Sequence, residues 1–367
     1  MYEWFDLQKR RFGQFLLRSI LNRCVVWQPA AKLDDGYSII LACVSSLAPL
    51  AVANLRLCAK SNGPRLSEII VVFDCLPGNV PQCVLEAIRE LSDGIEIRVL
   101  TYTKHQHRVA RLLQNGWVYS WMSWCIGIAH AKTRAVIIHD LDAMPIASGI
   151  FEQIYDNWLA SKAEFCGIDH YQGNGVTLEM GLVRTYELAL DSNYVRRRFR
   201  PIDLYNKTDW REGRIVKLDT MLHAQMQSPR RVVRRIDETQ LVHPSQLICH
   251  YTGLISGRSD LSGKLHSLPM LPYFMYLGGD ATGLDDVGQS LARPEATSVK
   301  LCGRSLRIDG IPPEQWAWME KQIRRLEQTM FGETRAEVEK YLAGFIHRAG
   351  SRRTVGSESD REFVIER

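Results

Sequence analysis

Two aspartates stand two residues apart at the end of an apolar run, Val136-Ile-Ile-His-Asp-Leu-Asp142. If that run is a strand, its side chains alternate with a period of two, so Asp140 and Asp142 point the same way. Paired hard oxygen ligands are what Mg²⁺ or Mn²⁺ needs to bridge a diphosphate, and a strand end is where a nucleotide-binding sheet presents them. The alternative is structural: the two carboxylates cap the turn that follows.

The elements ahead of this pair must deliver it. An apolar strand, Tyr37–Cys43, is followed by a helical segment, Ala48–Lys60, and a second apolar run, Glu68–Phe73, which ends in Asp74. This is a βαβ unit. A helix over Pro81–Leu91, a strand over Ile95–Tyr102 and a helix over Val118–Ala131 lead to the strand Ala135–His139. Strands alternating with helices predict an α/β fold with a mostly parallel, doubly wound central sheet, in which ligands sit at the carboxyl ends of the strands. No glycine fingerprint follows Cys43, which counts against a nicotinamide or flavin enzyme.

The flanking segments read differently. Residues 2–23 predict a helix with Trp4, Phe5, Phe12, Phe15, Leu16 and Ile20 on one broad side and Arg10, Arg11 and Arg18 largely on the other. It is either an interfacial membrane helix or a brace across the main domain. After a mixed region to about residue 255, Pro312 and Pro313 open an amphipathic helical segment running from Glu314 toward His347, interrupted at Gly332. The expected organisation is therefore an N-terminal amphipathic helix and linker over 1–35, a main domain over 36–255, a helical C-terminal extension over 256–350 and a flexible tail over 351–367.

A chain of 367 residues with 46% hydrophobic and 24% charged residues has ordinary globular composition. Its formal charge of +5 suits an anionic partner but is too mild to imply nucleic acid. Nine cysteines without a Cys-x-x-Cys pair, several of them in apolar runs such as Cys43, Cys75 and Cys166, read as free thiols of a reducing cytoplasm. No secretory signal is visible, and no stretch reaches the roughly 18 apolar residues of a membrane span. The expectation is a cytoplasmic protein, with peripheral contact to the anionic inner face of the plasma membrane left open.

The run from Asn115-Gly116 through Gly127-Ile-Ala-His-Ala131 to Asp140-Leu-Asp142 resembles the region of GT-A fold glycosyltransferases in which a helix precedes the metal-binding Asp-x-Asp. The opening βαβ unit resembles that fold as well. The resemblance implies that Asp140 contacts the ribose and the cation, that Asp142 binds the cation, and that Asp74 faces the nucleotide base. It matches Met180-Gly181-Leu182 loosely to the segment that contacts the donor sugar, with Glu179 the nearest acid. Cys249-His-Tyr-Thr-Gly253 is similar to the His-Tyr-x-Gly segment of the retaining galactosyltransferase and glycogenin type, which makes His250 the third metal ligand; read alone, His250 is a buried hydrogen-bonding histidine. Lys217-Leu-Asp-Thr-Met-Leu222 resembles the acidic motif opening the acceptor-side helix. That makes Asp219 the general base of an inverting enzyme or a sugar-orienting acid of a retaining one, and read alone Asp219 is a helix N-cap. Ser123-Trp124-Cys125 departs from the Ala-Arg-Asn triplet of a large inverting group.

The function so implied is a metal-dependent, hexosyltransferase-type glycosyltransferase using Mn²⁺ or Mg²⁺. It would move a sugar from a nucleotide-diphosphate donor to a glycan or lipid-linked acceptor, in bacterial cell-surface polysaccharide or lipopolysaccharide biosynthesis. The competing readings are a haloacid-dehalogenase-like phosphatase, which expects Thr where Met144 stands, and a non-catalytic nucleotide-sugar-binding scaffold at a membrane. The basic clusters Arg196–Arg200 and Arg230–Arg235 are either solvated faces or contacts for diphosphate, lipid-linked acceptor or anionic headgroups. Trp117, Tyr119, Trp121 and Trp124 either stack on a sugar or base or pack the core.

Overall fold

The computed structural model describes residues 2–30, 32–61, 63–92, 94–211, 213–258, 261 and 265–350. The expected flexible tail lies outside the described residues. The chain divides into two compact units: Met1–Ala51, Cys58–Leu141 and Ala147–Gln240 form the first, and Val52–Leu57, Asp142–Ile146 and Leu241–Arg367 the second.

In chain order the strands are β1 (Asp34–Cys43), β2 (Leu66–Phe73), β3 (Ile97–Thr101), β4 (Thr133–His139), β5 (Met144–Pro145), β6 (Phe165–Gly167), β7 (Leu188–Asp191), β8 (Lys207–Arg211), β9 (Arg214–Leu218), β10 (Arg231–Val233), β11 (Leu241–Val242), β12 (Ser298–Leu301) and β13 (Arg304–Arg307). In the first unit seven strands make one sheet in the order β10-β6-β7-β4-β1-β2-β3. The β4-β1-β2-β3 half is parallel throughout, and β7 runs antiparallel to both β4 and β6. The expected α/β class with a mostly parallel sheet flanked by helices is what the chain adopts. β1 and β4 are the central pair, and their runs Ile39–Leu41 and Val136–Ile138 are buried, as strands covered on both faces must be.

Helices Ala48–Lys60, Gln82–Leu91, Lys104–Leu113 and Gly116–His130 occupy the connections between the parallel strands. Helix Lys104–Leu113 was not anticipated, although its start is written in the sequence as a capping box. Thr103 accepts from the Gln106 N–H at 3.2 Å, and the Gln106 side chain accepts from the Thr103 N–H at 2.8 Å. Helix Gly116–His130 is apolar almost all round because it is buried almost all round. A Cβ on Gly127 would come within 2.5 Å of the Ile40 side chain, so glycine is what lets this helix lie directly on β1. Trp121 and Trp124 are core residues, and Trp121 Nε1 donates to the Pro201 carbonyl at 2.7 Å, whereas Trp117 is 57% exposed. Arg196 is buried and donates to the carbonyls of Ile128 and Ala131, where a guanidinium satisfies the open end of the helix and its dipole. The first basic cluster is thus split: Arg196 is structural, while Arg197, Arg198 and Arg200 are exposed.

In the second unit, β5 and β11 form a short antiparallel ladder, and β12 pairs with β13. The expected helical C-terminal part is present as Pro313–Phe331 and Ala336–Gly350, separated where Gly332 takes the left-handed conformation that ends a helix. Phe345 packs edge to face on Trp316 and at a tilt against Tyr341. The buried Glu327 carboxylate ties both helices to the unit: it pairs with Arg335 at 2.8 Å and accepts from the Tyr273 hydroxyl at 3.0 Å. Among the described residues no helix is long and apolar enough to cross a membrane.

Candidate metal centre

β4 ends at His139, so Asp140-Leu141-Asp142 leaves the sheet in a turn rather than continuing the strand. The two carboxylates converge through that turn, and the period-two alternation expected from the sequence is not what aligns them. Two residues further on, β5 pairs antiparallel with β11 in the register Pro145↔Leu241 and Met144↔Val242. One step along the same ladder places His243 opposite Ala143, beside Asp142. His243 Nε2 lies 3.7 Å from Asp142 Oδ1. The other Asp142 oxygen is 3.4 Å from the Ile248 N–H, and the Ala143 carbonyl accepts from the Asn54 side chain at 2.8 Å. Asp142 is therefore a buried carboxylate held on both sides, with its side chain only 7% exposed.

Asp140, Asp142 and His243 each offer a ligand atom, and these atoms lie within 4.8 Å of one another. Two carboxylates and an imidazole are a mixed oxygen–nitrogen donor set that suits Mn²⁺ well and Mg²⁺ less well, since magnesium favours oxygen alone. The residues present thus fit a divalent cation. His250, expected as the third ligand, is not a member of this group. It lies in helix Leu247–Ser256, its backbone N–H bonded to the Gln246 carbonyl and its ring 6.2 Å from that of His266. In its place the short β5–β11 ladder brings His243.

The residue just before the pair was missed by sequence reasoning. His139 is fully buried and its Nδ1 sits 2.5 Å from Glu187 Oε1, with Phe151 edge-on to the imidazole at 5.1 Å. The β4–β7 register dictates this meeting, because Ile138 pairs with Leu188 and the next cross-strand positions are His139 and Glu187. Burial works most strongly against the charged imidazole, but Glu187 and Cys58 together outweigh it and hold His139 well above the ordinary histidine range. Glu187 reaches it from a left-handed backbone, φ 50°, a conformation that costs a non-glycine residue roughly 1 kcal/mol.

The other expected residues lie outside the group. Asp74 follows β2, accepts from the Ser45 N–H at 2.7 Å and has its carboxyl raised by burial, with the Ser45 bonds pulling the other way. Asp219 follows β9 and accepts from the Thr220 N–H at 2.7 Å. It does not cap the next helix, Leu222–Met226, whose N-cap position is Met221 in a left-handed turn. Burial lifts the Asp219 carboxyl above the usual carboxylate range, against bonds from Thr220 and Asn206. Gly181 closes a 3₁₀ turn with φ 60°, and Arg231 Nη2 reaches the Met180 carbonyl beside it at 3.4 Å. Glu179 in that turn is exposed.

No family model matches the sequence, and no curated relative matches it. The chain is similar to solved structures of glycosyltransferases and nucleotide-sugar complexes. One is the mannosyltransferase PcManGT from Pyrobaculum calidifontis in complex with GDP-Man and Mn²⁺, at 11% identity over 95% of this chain and 96% of that one, with a TM-score of 0.40. Another is S. aureus TarS in complex with UDP-GlcNAc, at 12% identity over 86% and 91% of the two chains and a TM-score of 0.35. A third is the galactosyltransferase LgtC with donor and acceptor sugar analogues, at 15% identity over 44% and 60%, with a TM-score of 0.32.

Proposed function

We propose that this chain is a metal-dependent glycosyltransferase that takes a sugar from a nucleotide-diphosphate donor. The observation that carries the reading is the meeting of Asp140, Asp142 and His243 at the carboxyl end of a central parallel strand, where open α/β sheets bind their ligands. A divalent cation held there would offset the charge that builds on a departing diphosphate. Asp142 and His243 are assigned as ligands, and Asp140 as a ligand that also faces the ribose.

The remaining roles follow from position and protonation. Asp74, at the end of the neighbouring strand, is assigned to the nucleotide base, and Gly181 to the donor-sugar segment. Asp219 is assigned as the group that accepts the proton of the attacking hydroxyl, because a carboxyl raised by burial is a stronger base than a solvated one. That role requires inversion at the anomeric carbon. The acceptor is proposed to be a glycan or a lipid-linked glycan of bacterial cell-surface polysaccharide or lipopolysaccharide synthesis, a reading that fits the basic balance of the chain.

The test is binding and turnover of a UDP-sugar and GDP-sugar panel, UDP-GlcNAc and GDP-Man included, with and without Mn²⁺. The expected result is donor binding that needs the metal and is lost in Asp142→Ala. Metal-independent binding, no binding across the panel, or release of phosphate from simple esters contradicts the reading.

A further inference from the structure

Among the described side chains of the N-terminal helix Tyr2–Leu21, the polarity is turned inside out. Its inward side is held by polar groups: the Gln14 side chain donates to Thr208 Oγ1 at 3.0 Å and accepts from the Thr208 N–H at 2.9 Å, and Arg18 donates to the Tyr205 carbonyl and to Asp203. Leu17 and Leu21 supply the apolar part of that contact. The outward side carries Phe12, Phe15, Leu16 and Ile20, exposed by 66%, 65%, 48% and 45%. Their spacing of three, four and eight residues from Phe12 puts them on one face. A helix in water normally does the reverse, with apolar residues inward and Gln and Arg outward. Four large apolar side chains on one exposed helix face are the mark of an interaction surface.

The rim of that face is cationic. Lys9 and Arg23 are exposed along and just beyond the helix, while Arg11, also exposed, is paired with Asp209 at 2.9 Å. Arg200 stands near the C-terminal end of the helix, because Asp203 is shared between Arg18 at 3.4 Å and Arg200 at 3.3 Å, and Trp27 Nε1 donates to the Phe199 carbonyl at 2.9 Å.

We propose that this face docks on an anionic lipid bilayer, with Phe12, Phe15, Leu16 and Ile20 entering the headgroup–acyl boundary and Lys9 and Arg23 lying over acidic headgroups. Apolar insertion together with a basic flank is the combination that interfacial helices use. A second copy of the chain is the weaker occupant, since a twofold contact through this face would set one basic rim against another. The proposal goes beyond sugar transfer and does not need it.

The test is co-sedimentation of the full chain with vesicles of pure phosphatidylcholine and of phosphatidylcholine mixed with phosphatidylglycerol, without donor or metal. Failure here leaves the transfer reading standing. The expected result is partition to the anionic vesicles that weakens with salt. Phe12→Ser with Phe15→Ser should weaken it at least about tenfold, and Lys9→Gln with Arg23→Gln roughly fivefold per charge removed. All four side chains are exposed, so circular dichroism should be unchanged. Equal binding to both vesicle types, no binding to either, or unchanged binding of both variants overturns the proposal, as does a lipid-free dimer that Phe12→Ser with Phe15→Ser dissolves.

Discussion

His243 Nε2 stands 3.7 Å from Asp142 Oδ1, and what puts it there is a ladder of two residues on each side, Met144–Pro145 against Leu241–Val242. A contact between residues about a hundred positions apart is thus set by the register of a very short antiparallel pair. Everything proposed about the centre depends on that register.

The buried His139–Glu187 pair stands at the last residue of β4, immediately before the aspartates. Removing one member of a buried pair leaves its partner's charge without compensation, so Glu187→Gln and His139→Phe should each destabilise the chain by about 3–5 kcal/mol. The double variant should lose less than the sum of the two. Urea unfolding of the four proteins measures this, and strictly additive losses would show that the two side chains do not act as a pair.

If Asp219 accepts the proton of the attacking hydroxyl, the acid limb of the rate profile reports its titration. Burial raises this carboxyl, so the limb should lie above the pH at which an ordinary aspartate titrates. Turnover should fall as pH drops through it. Asp219→Asn should lower kcat about 10²–10⁴-fold with donor binding retained. Loss of donor binding in that variant would instead mark Asp219 as a donor contact.

Two histidines, His223 half-buried and His266 buried, make stability sensitive to acid. Burial pushes His223 and His266 down to about 4, with the Lys207 cation acting further on His223. Each is neutral in the folded chain and titrates at its ordinary value when unfolded. Their contribution is therefore complete above about pH 6.5 and is lost as pH falls from there toward 4, at most about 3 kcal/mol for each. Thermal unfolding between pH 7 and 4 checks this. His266→Gln should flatten the slope for the second unit.

The sheet was legible because its signals are local. Ile39–Leu41, Ile69–Phe73 and Val136–Ile138 are unbroken apolar runs of strand length with helical stretches between, and each is a buried parallel strand. The helix break at Gly332 was legible for the same reason. Helix Lys104–Leu113 was missed despite its Thr-x-x-Gln start, which was the readable signal for it. The antiparallel β7 and the β5–β11 ladder had no such signal. A two-residue strand has no period to detect, and only its distant partner makes it a strand. His243 follows the apolar pair Leu241-Val242 and precedes Pro244, which is too little to single it out from sequence. His250, with a recognisable tetrapeptide around it, drew the expectation of a third ligand, whereas the histidine that stands with Asp140 and Asp142 is His243.

The most direct test is the nitrogen hyperfine coupling of Mn²⁺ bound to the full chain, read by pulsed electron paramagnetic resonance in the native protein, His243→Ala and His250→Ala. The expected spectrum shows one imidazole nitrogen on the metal, lost in His243→Ala and kept in His250→Ala, with Asp142→Ala binding no Mn²⁺. A coupling that survives His243→Ala, or that disappears in His250→Ala, contradicts the centre described here.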